Sequence, residues 1–256
     1  MSIKLKNKAE IDIMRRANMI VAEVLETLTE MVSPGVTTAD LDAKAKELTK
    51  KAGAEAAFLN YPAPHKGVPP FSGVICSSVN DVIVHGIPDD VPLKEGDIIS
   101  VDYGCCLEGF YGDSARTIAV GDVSPQAQKL MEVTKASLDD AIAQCYEGNR
   151  IGDISNAVQT RVESNGFGVV REFVGHGIGR SMHEPPHVPN FGQAGQGRVL
   201  KPGLVIAIEP MVVTGSIATK ILKDGWSAAT EDGGLAAHYE HSVAITDGEP
   251  YVLSRP

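Results

Sequence analysis

The chain has few cysteines, few aromatic residues and no long apolar run, and each shortage closes off a class of answer. Its 256 residues include four cysteines, Cys76, Cys105, Cys106 and Cys145, and no C-x-x-C pair. A bridge between adjacent Cys105 and Cys106 would be strained, so a reducing compartment is the simpler reading. No apolar stretch approaches the length of a membrane span, and Met1 to Ala17 mixes charges where a signal peptide has an apolar core. The expectation is a soluble, cytoplasmic protein without a membrane partner. Basic residues are outnumbered 23 to 33, for a formal net charge of −10. That balance argues against specific DNA binding and against a polybasic anchor. Lys4, Lys6 and Lys8 form a local basic cluster that could meet ribosomal RNA or simply solvate a helix start. No P-loop and no G-x-S-x-G elbow occurs.

What is present is enough for one large core: 43% apolar and 22% charged residues fit a single globular domain over residues 1–256. From Lys8 to Val32, apolar residues recur at helical spacing until Ser33-Pro34-Gly35 stops them. A second helix begins behind Thr37 and Asp40 and ends at Gly53. Ser124-Pro125 opens a third that runs to Gly148, and Asp153 starts a fourth that stops at Asn165-Gly166. Gly35 and Gly148, Asp40 and Asp153, and Gly53 and Gly166 are each separated by about 113 positions, too long for a solenoid period. The pattern predicts a duplicated α+β unit in two layers, with halves over about 8–120 and 124–246 around one antiparallel sheet. Strand-like runs cover Gly73 to His85, Asp97 to Val120, Phe167 to Val174, Leu204 to Thr214 and Leu235 to Thr246. The stretches Asn60 to Phe71 and His183 to Gly203, rich in Pro and Gly, read as loops.

Four acids sit where strands should be apolar. Asp102 and Asp113 belong to I-I-S-V-D-Y-G and Y-G-D-S-A-R-T, two strands of a predicted hairpin. A turn centred between Leu107 and Glu108 sets the two aspartates opposite each other on one face, where like charges repel unless a cation joins them. The alternative is a solvated edge, but Ile98, Ile99 and Val101 make this stretch read as core. Glu209, in A-I-E-P-M, and Glu240, in H-Y-E-H-S-V, repeat the pattern. Burying several carboxylates without partners costs several kcal/mol or more per ion, a cost that two divalent cations would offset. His176, framed by glycines in G-H-G-I-G, adds an imidazole. Four carboxylates and one imidazole suit Mn²⁺, Fe²⁺ or Co²⁺ better than a closed structural zinc site. Zn²⁺ and Ni²⁺ remain possible ions.

One motif misleads. His183-Glu184-Pro185-Pro186-His187 spells the zincin string H-E-x-x-H, but consecutive prolines disfavour the helix which that chemistry needs. His183 can still act alone. The glycines around His176 lack the strand-to-helix setting of a dinucleotide loop.

In this order, V-D-Y-G, Y-G-D-S-A-R-T, G-H-G-I-G, A-I-E-P-M and Y-E-H-S-V resemble the type I methionine aminopeptidases over nearly the whole chain. The resemblance implies the pita-bread fold, two related halves around a curved antiparallel sheet, and a metal-dependent aminopeptidase. It implies removal of the initiator methionine from nascent chains whose second residue is small, a step of protein maturation. Two divalent metal ions would be held with Asp102 on one, Asp113 and Glu240 bridging both, and His176 with Glu209 completing the other. A hydroxide bridging metals roughly 3.5–4 Å apart would then be the nucleophile. Glu209 would shuttle the proton, His183 would stabilise the carbonyl oxygen and His85 would hydrogen-bond the scissile amide. The methionine pocket would comprise Cys76, Phe71, Tyr61 and Trp226, its sulfur packing against aromatic rings. The stretch P-A-P-H-K-G-V-P-P between Tyr61 and Phe71 is longer than the family's usual connection. The resemblance further implies a monomer of the short type I form, without a cysteine-rich N-terminal extension. Two rival readings share the fold: a proline-specific peptidase, which usually carries a separate N-terminal domain, and a non-catalytic peptide-binding protein.

Overall fold

The computed structural model describes residues 3–256. Helix α1 (Lys8–Met31) is capped by Asn7, whose side chain accepts from the Glu10 amide while the Glu10 carboxylate accepts from the Asn7 amide. Its apolar stripe, Met14, Ala17, Val21, Leu25 and Leu28, is fully buried. Helix α2 (Thr38–Lys51) starts with the same reciprocal cap from Thr37 and Asp40. The strands that follow are β1 (Glu55–Ala56), β2 (Cys76–Val79), β3 (Val82–Val84), β4 (Ile98–Leu107) and β5 (Phe110–Ala119).

The second pair of helices is α3 (Pro125–Ile142) and α4 (Ile151–Ser164). Then come β6 (Gly168–Val169), β7 (Gly175–Gly177), β8 (Glu184–Val188), β9 (Val205–Ile208), β10 (Met211–Val213) and β11 (Thr219–Ile221). The chain closes with β12 (Ala228–Thr230), β13 (Ala236–His238), β14 (Glu240–Ala244) and β15 (Tyr251–Val252). Helices α2 and α4 are both 14 residues long. In each, an acid in the first turn, Asp40 or Asp153, accepts the N-cap amide.

Among the described residues, nine strands form the main antiparallel sheet, in the order β1-β4-β5-β14-β9-β7-β8, with β2 beside β4 and β15 beside β14. Helices α1 and α2 cover one part of it, burying Ile99, Val101, Tyr103 and Cys105 of β4. Helices α3 and α4 cover the other, over Ile206, Ile208 and Val243. The approach of α1 to the hairpin is close: a Cβ at Gly112 would meet the Asn18 nitrogen at 2.8 Å. This is the α+β architecture that the sequence pattern predicts, and the pita-bread fold that the family resemblance implies.

Several boundaries differ from expectation. Helix α3 ends at Ile142 rather than Gly148, because Gln144 and Cys145 donate three residues back in tighter turns. Helix α4 begins at Ile151, two residues before the acid that caps it. Within the expected loop His183 to Gly203, β8 adds an edge strand to the sheet. The run Phe167 to Val174 yields only the two-residue β6. Glu209-Pro210 and Tyr239 interrupt two predicted strands, dividing them as β9/β10 and β13/β14. The second member of each division joins a different neighbour, so the chain passes between sheets at these breaks.

Candidate metal centre and its pocket

The hairpin β4–β5 turns through Glu108 and Gly109, with φ of 51° and 77°. Both central residues in left-handed backbone make the two-residue connection that matches strand twist. The turn is therefore centred between Glu108 and Gly109, one residue later than expected. Asp102 stands opposite Ala115, and Asp113 opposite Gly104. The two aspartates are diagonal neighbours instead of a direct pair, yet they still share a face, because a shift of two positions conserves the side.

The same register arithmetic assembles the rest. On its far side, β5 pairs Ala115 with Glu240 of β14, so one methyl group separates the columns of two acids. Strand β14 pairs His241 with Ile208, and one step along that register places Glu209 beside Glu240, just past the end of β9. His176 of β7 pairs with Ala207 of β9, two residues before Glu209 and on its side. Five adjacent strands or strand ends thus present Asp102, Asp113, Glu240, Glu209 and His176 to one face.

Ligand atoms of Asp113, His176 and Glu240 lie within 4.8 Å of one another. His176 Nε2 is 3.5 Å from Glu209 Oε1 and 3.9 Å from Asp113 Oδ2. The His176 Nδ1–H donates to the Gly177 carbonyl at 2.9 Å, since a carbonyl can only accept, and this leaves the Nε2 lone pair facing carboxylates. Asp102 Oδ1, Asp113 Oδ1 and Glu240 Oε1 are buried and have no hydrogen-bond donor among the described residues. Burial pushes the Asp102 carboxyl up to about 7. Burial first, then neighbouring carboxylates, holds Asp113, Glu209 and Glu240 well above the usual range. Burial drives His176 down to about 3, keeping it neutral. Converging acceptors with no donor among them fit divalent cations and fit little else.

Above this floor lies a cavity of about 450 Å³, within the range of sites that enclose a small ligand. All the sequence-nominated residues line it: the five candidate ligands together with His85, His183, Cys76, Phe71, Tyr61 and Trp226. The Tyr61 hydroxyl lies 2.8 Å from His183 Nδ1 and fixes the ring's direction. Phe71 meets Trp226 edge to face at 5.2 Å between centroids. The Trp226 indole donates to the Pro69 carbonyl at 2.9 Å, anchoring the Pro-rich stretch to the wall. Cys76 faces Asp102 across the β2–β4 pair, and burial raises its thiol well above the ordinary range. His85 has a left-handed φ of 61°, a conformation uncommon outside glycine but one that histidine adopts more readily than most residues. Its ring meets Phe173 edge to face at 5.4 Å.

The sequence reading missed Phe173, Met182, His65 and Ile221 in the wall, and His238 behind it. Phe173 and Met182 each lie within three residues of a nominated histidine, which was the available signal. His238 is buried, and its Nε2 lies 3.9 Å from Glu209 Oε2. Position two before Glu240 on an extended chain could have suggested it, but the Tyr239 break removes the simple alternation. His187 of the zincin-like string is exposed, and the string is extended. Lys6 is not available to an exposed basic cluster: it is buried against Glu184 at 2.7 Å.

Carboxylates and an imidazole converging beneath this cavity make a candidate metal centre. Residues 12–247 match metallopeptidase family M24, and the chain belongs to that family. Within it the chain sits with the methionine aminopeptidases. The methionine aminopeptidase of Clostridium perfringens is 50% identical over 252 residues, covering 98% of each chain. Methionine aminopeptidase 1 of Bacillus subtilis is 46% identical over 250 residues, again 98% of each. The crystal structure of methionine aminopeptidase from Thermotoga maritima covers all of both chains at a TM-score of 0.95 and 39% identity. Prolidase from Pyrococcus furiosus shares the fold alone, at a TM-score of 0.75 and 22% identity.

Proposed function

We propose that residues 1–256 act as one catalytic domain that hydrolyses the bond after an N-terminal methionine when the following residue is small. The observation that carries this is the convergence of five donor side chains on the floor of a cavity whose walls are aromatic and thioether-compatible. Asp102, Asp113, His176, Glu209 and Glu240 would hold two divalent ions, with Mn²⁺, Fe²⁺ or Co²⁺ suited to this donor set. When bound, the ions supply an activated water and polarise the peptide carbonyl.

The chain's own residues do the rest. Cys76, Phe71, Tyr61 and Trp226 receive the methionine side chain and exclude water from it. His183, oriented by the Tyr61 hydroxyl, directs its other ring nitrogen to the carbonyl oxygen as charge develops. His85 donates to the scissile amide, and Glu209 carries the proton to the leaving amine. On this reading the chain works in the cytoplasm as a monomer, with exposed Lys4 and Lys8 as the basic residues left for a ribosome contact.

The test is hydrolysis of Met-Ala-Ser against Xaa-Pro peptides, with EDTA added and then Mn²⁺ or Co²⁺ restored. Metal-dependent release of methionine is expected. Cleavage confined to Xaa-Pro peptides would replace this reading with a proline-specific one, and binding without hydrolysis would favour a peptide-binding module.

A further inference from the structure

The third glycine of G-H-G-I-G, Gly179, and the buried Lys6 explain each other. A Cβ on Gly179 would lie 2.3 Å from Lys6 Cε and 2.9 Å from a Glu184 oxygen. The space is filled by the Lys6 side chain on its way to Glu184. Their ion pair is 2.7 Å long, with the side chains 5% and 10% exposed. The other Glu184 oxygen accepts from the Arg180 and Ser181 amides at 2.8 and 3.2 Å. One carboxylate thus closes the turn 180–184, and that turn carries His183. The backbone of Lys6 is fixed as well: its amide donates to the Gly203 carbonyl at 2.6 Å. A Cβ at Gly203 would strike the Lys6 carbonyl at 2.6 Å.

We propose that Lys6 is a positioning residue for the reaction: the segment before α1 straps the 180–184 turn through the Lys6–Glu184 pair and so sets the place of the His183 ring. This rests on the reading of His183 as the group facing the substrate carbonyl. A surface ion pair would be worth little, but removing the Lys6 ammonium from this buried pair leaves the Glu184 charge held by two amides alone and without its cation, which favours rearrangement of the turn.

A double-mutant cycle with Lys6→Met and His183→Ala, read as kcat and KM on Met-Ala-Ser, separates positioning from mere stability. Lys6→Met is expected to lower kcat about tenfold with KM nearly unchanged, and to cost almost nothing further once His183 is alanine. An equal loss in both backgrounds, or no loss in either, would overturn the proposal. Lys6→Arg should recover most of the rate, since it retains the charge. Hydrogen exchange reads the strap without turnover. In Lys6→Met the Arg180 and Ser181 amides should lose protection while α3 and α4 keep theirs. Unchanged protection refutes the strap itself. A wild-type chain that shows the strap by exchange but does not cleave the peptide refutes the assigned activity instead.

Discussion

The floor and the wall of the cavity are built by different means. Every acid or imidazole of the floor stands on a strand or at the first residue past one, so hydrogen-bonded register fixes its side and its neighbours. The wall comes largely from connections: Tyr61 and Phe71 bracket the Pro-rich stretch, Trp226 precedes β12, and His183 precedes β8. The groups proposed to hold multivalent charge at fixed spacing are carried by the hydrogen-bonded sheet. Groups that must accommodate a side chain and the chain behind it are carried by segments that can adjust.

The sharpest way to break this comparison is Asp113→Ala. Loss of a central acceptor should remove metal-dependent turnover, on the order of 10³-fold or more, with metal occupancy reduced and the fold retained. Bound metal is read by elemental analysis and the fold by circular dichroism; full activity with normal occupancy would separate Asp113 from the floor. Next in size, His85→Ala should slow turnover roughly 10²-fold at unchanged occupancy, as loss of a donor to the reacting amide does. Lost occupancy would move His85 from the wall to the floor.

Trp226→Ala should raise KM by about tenfold and leave metal content alone, since it removes an aromatic face and the anchor for Pro69. A fall in kcat without a change in KM would contradict a role confined to the pocket.

The smallest effect concerns pH. In the folded metal-free chain Asp102 keeps its proton up to about 7, whereas its ordinary value is 3.8. The folded state therefore holds a proton that the unfolded chain has released, and stability falls as pH rises through that window. Below 6.5 the buried histidines oppose this, because His176 and His238 stay neutral down to about 3 while the unfolded chain protonates them. Roughly a unit above 6.5 the histidines have lost their protons in both states, and the buried thiols of Cys76, Cys105 and Cys145, raised by burial above the ordinary 9.0, act in the same direction as the carboxylates. Thermal unfolding in EDTA should therefore drop by a few degrees between pH 6.5 and 8.5, at about 2–4 °C per kcal/mol. With Mn²⁺ present the drop should shrink to the part the thiols contribute, and a drop of undiminished size with metal would show that the floor does not bind it.

Much of the floor was legible because strands alternate. An acid embedded in V-D-Y or A-I-E stands out against apolar neighbours, and a hairpin converts sequence separation into position. The one-residue error in the turn did no harm, since moving the centre by one residue shifts the partner by two. Helix starts were legible through their caps, Asn7 being overlooked as the α1 cap and Asp153 read as a start rather than a first-turn acid. The wall was less legible. Phe173, Met182 and His65 reach the cavity only because loops fold over it, and no period encodes that. Burial of Lys6 was invisible for the same reason: its partner is 178 positions away.

The turn at Glu108-Gly109 has a consequence for how this chain can change over time. Hairpin tips usually absorb insertions and deletions without penalty. Here the two central residues set the pairing of ten residues in each strand. A single inserted residue that slips the register would carry Asp102 or Asp113 to the opposite face of the sheet. Such an indel, though outside the cavity lining and made of solvent-facing chain, would disturb the candidate centre as surely as replacing one of its acids. The hairpin tip should therefore tolerate exchanges of residue type but not of length.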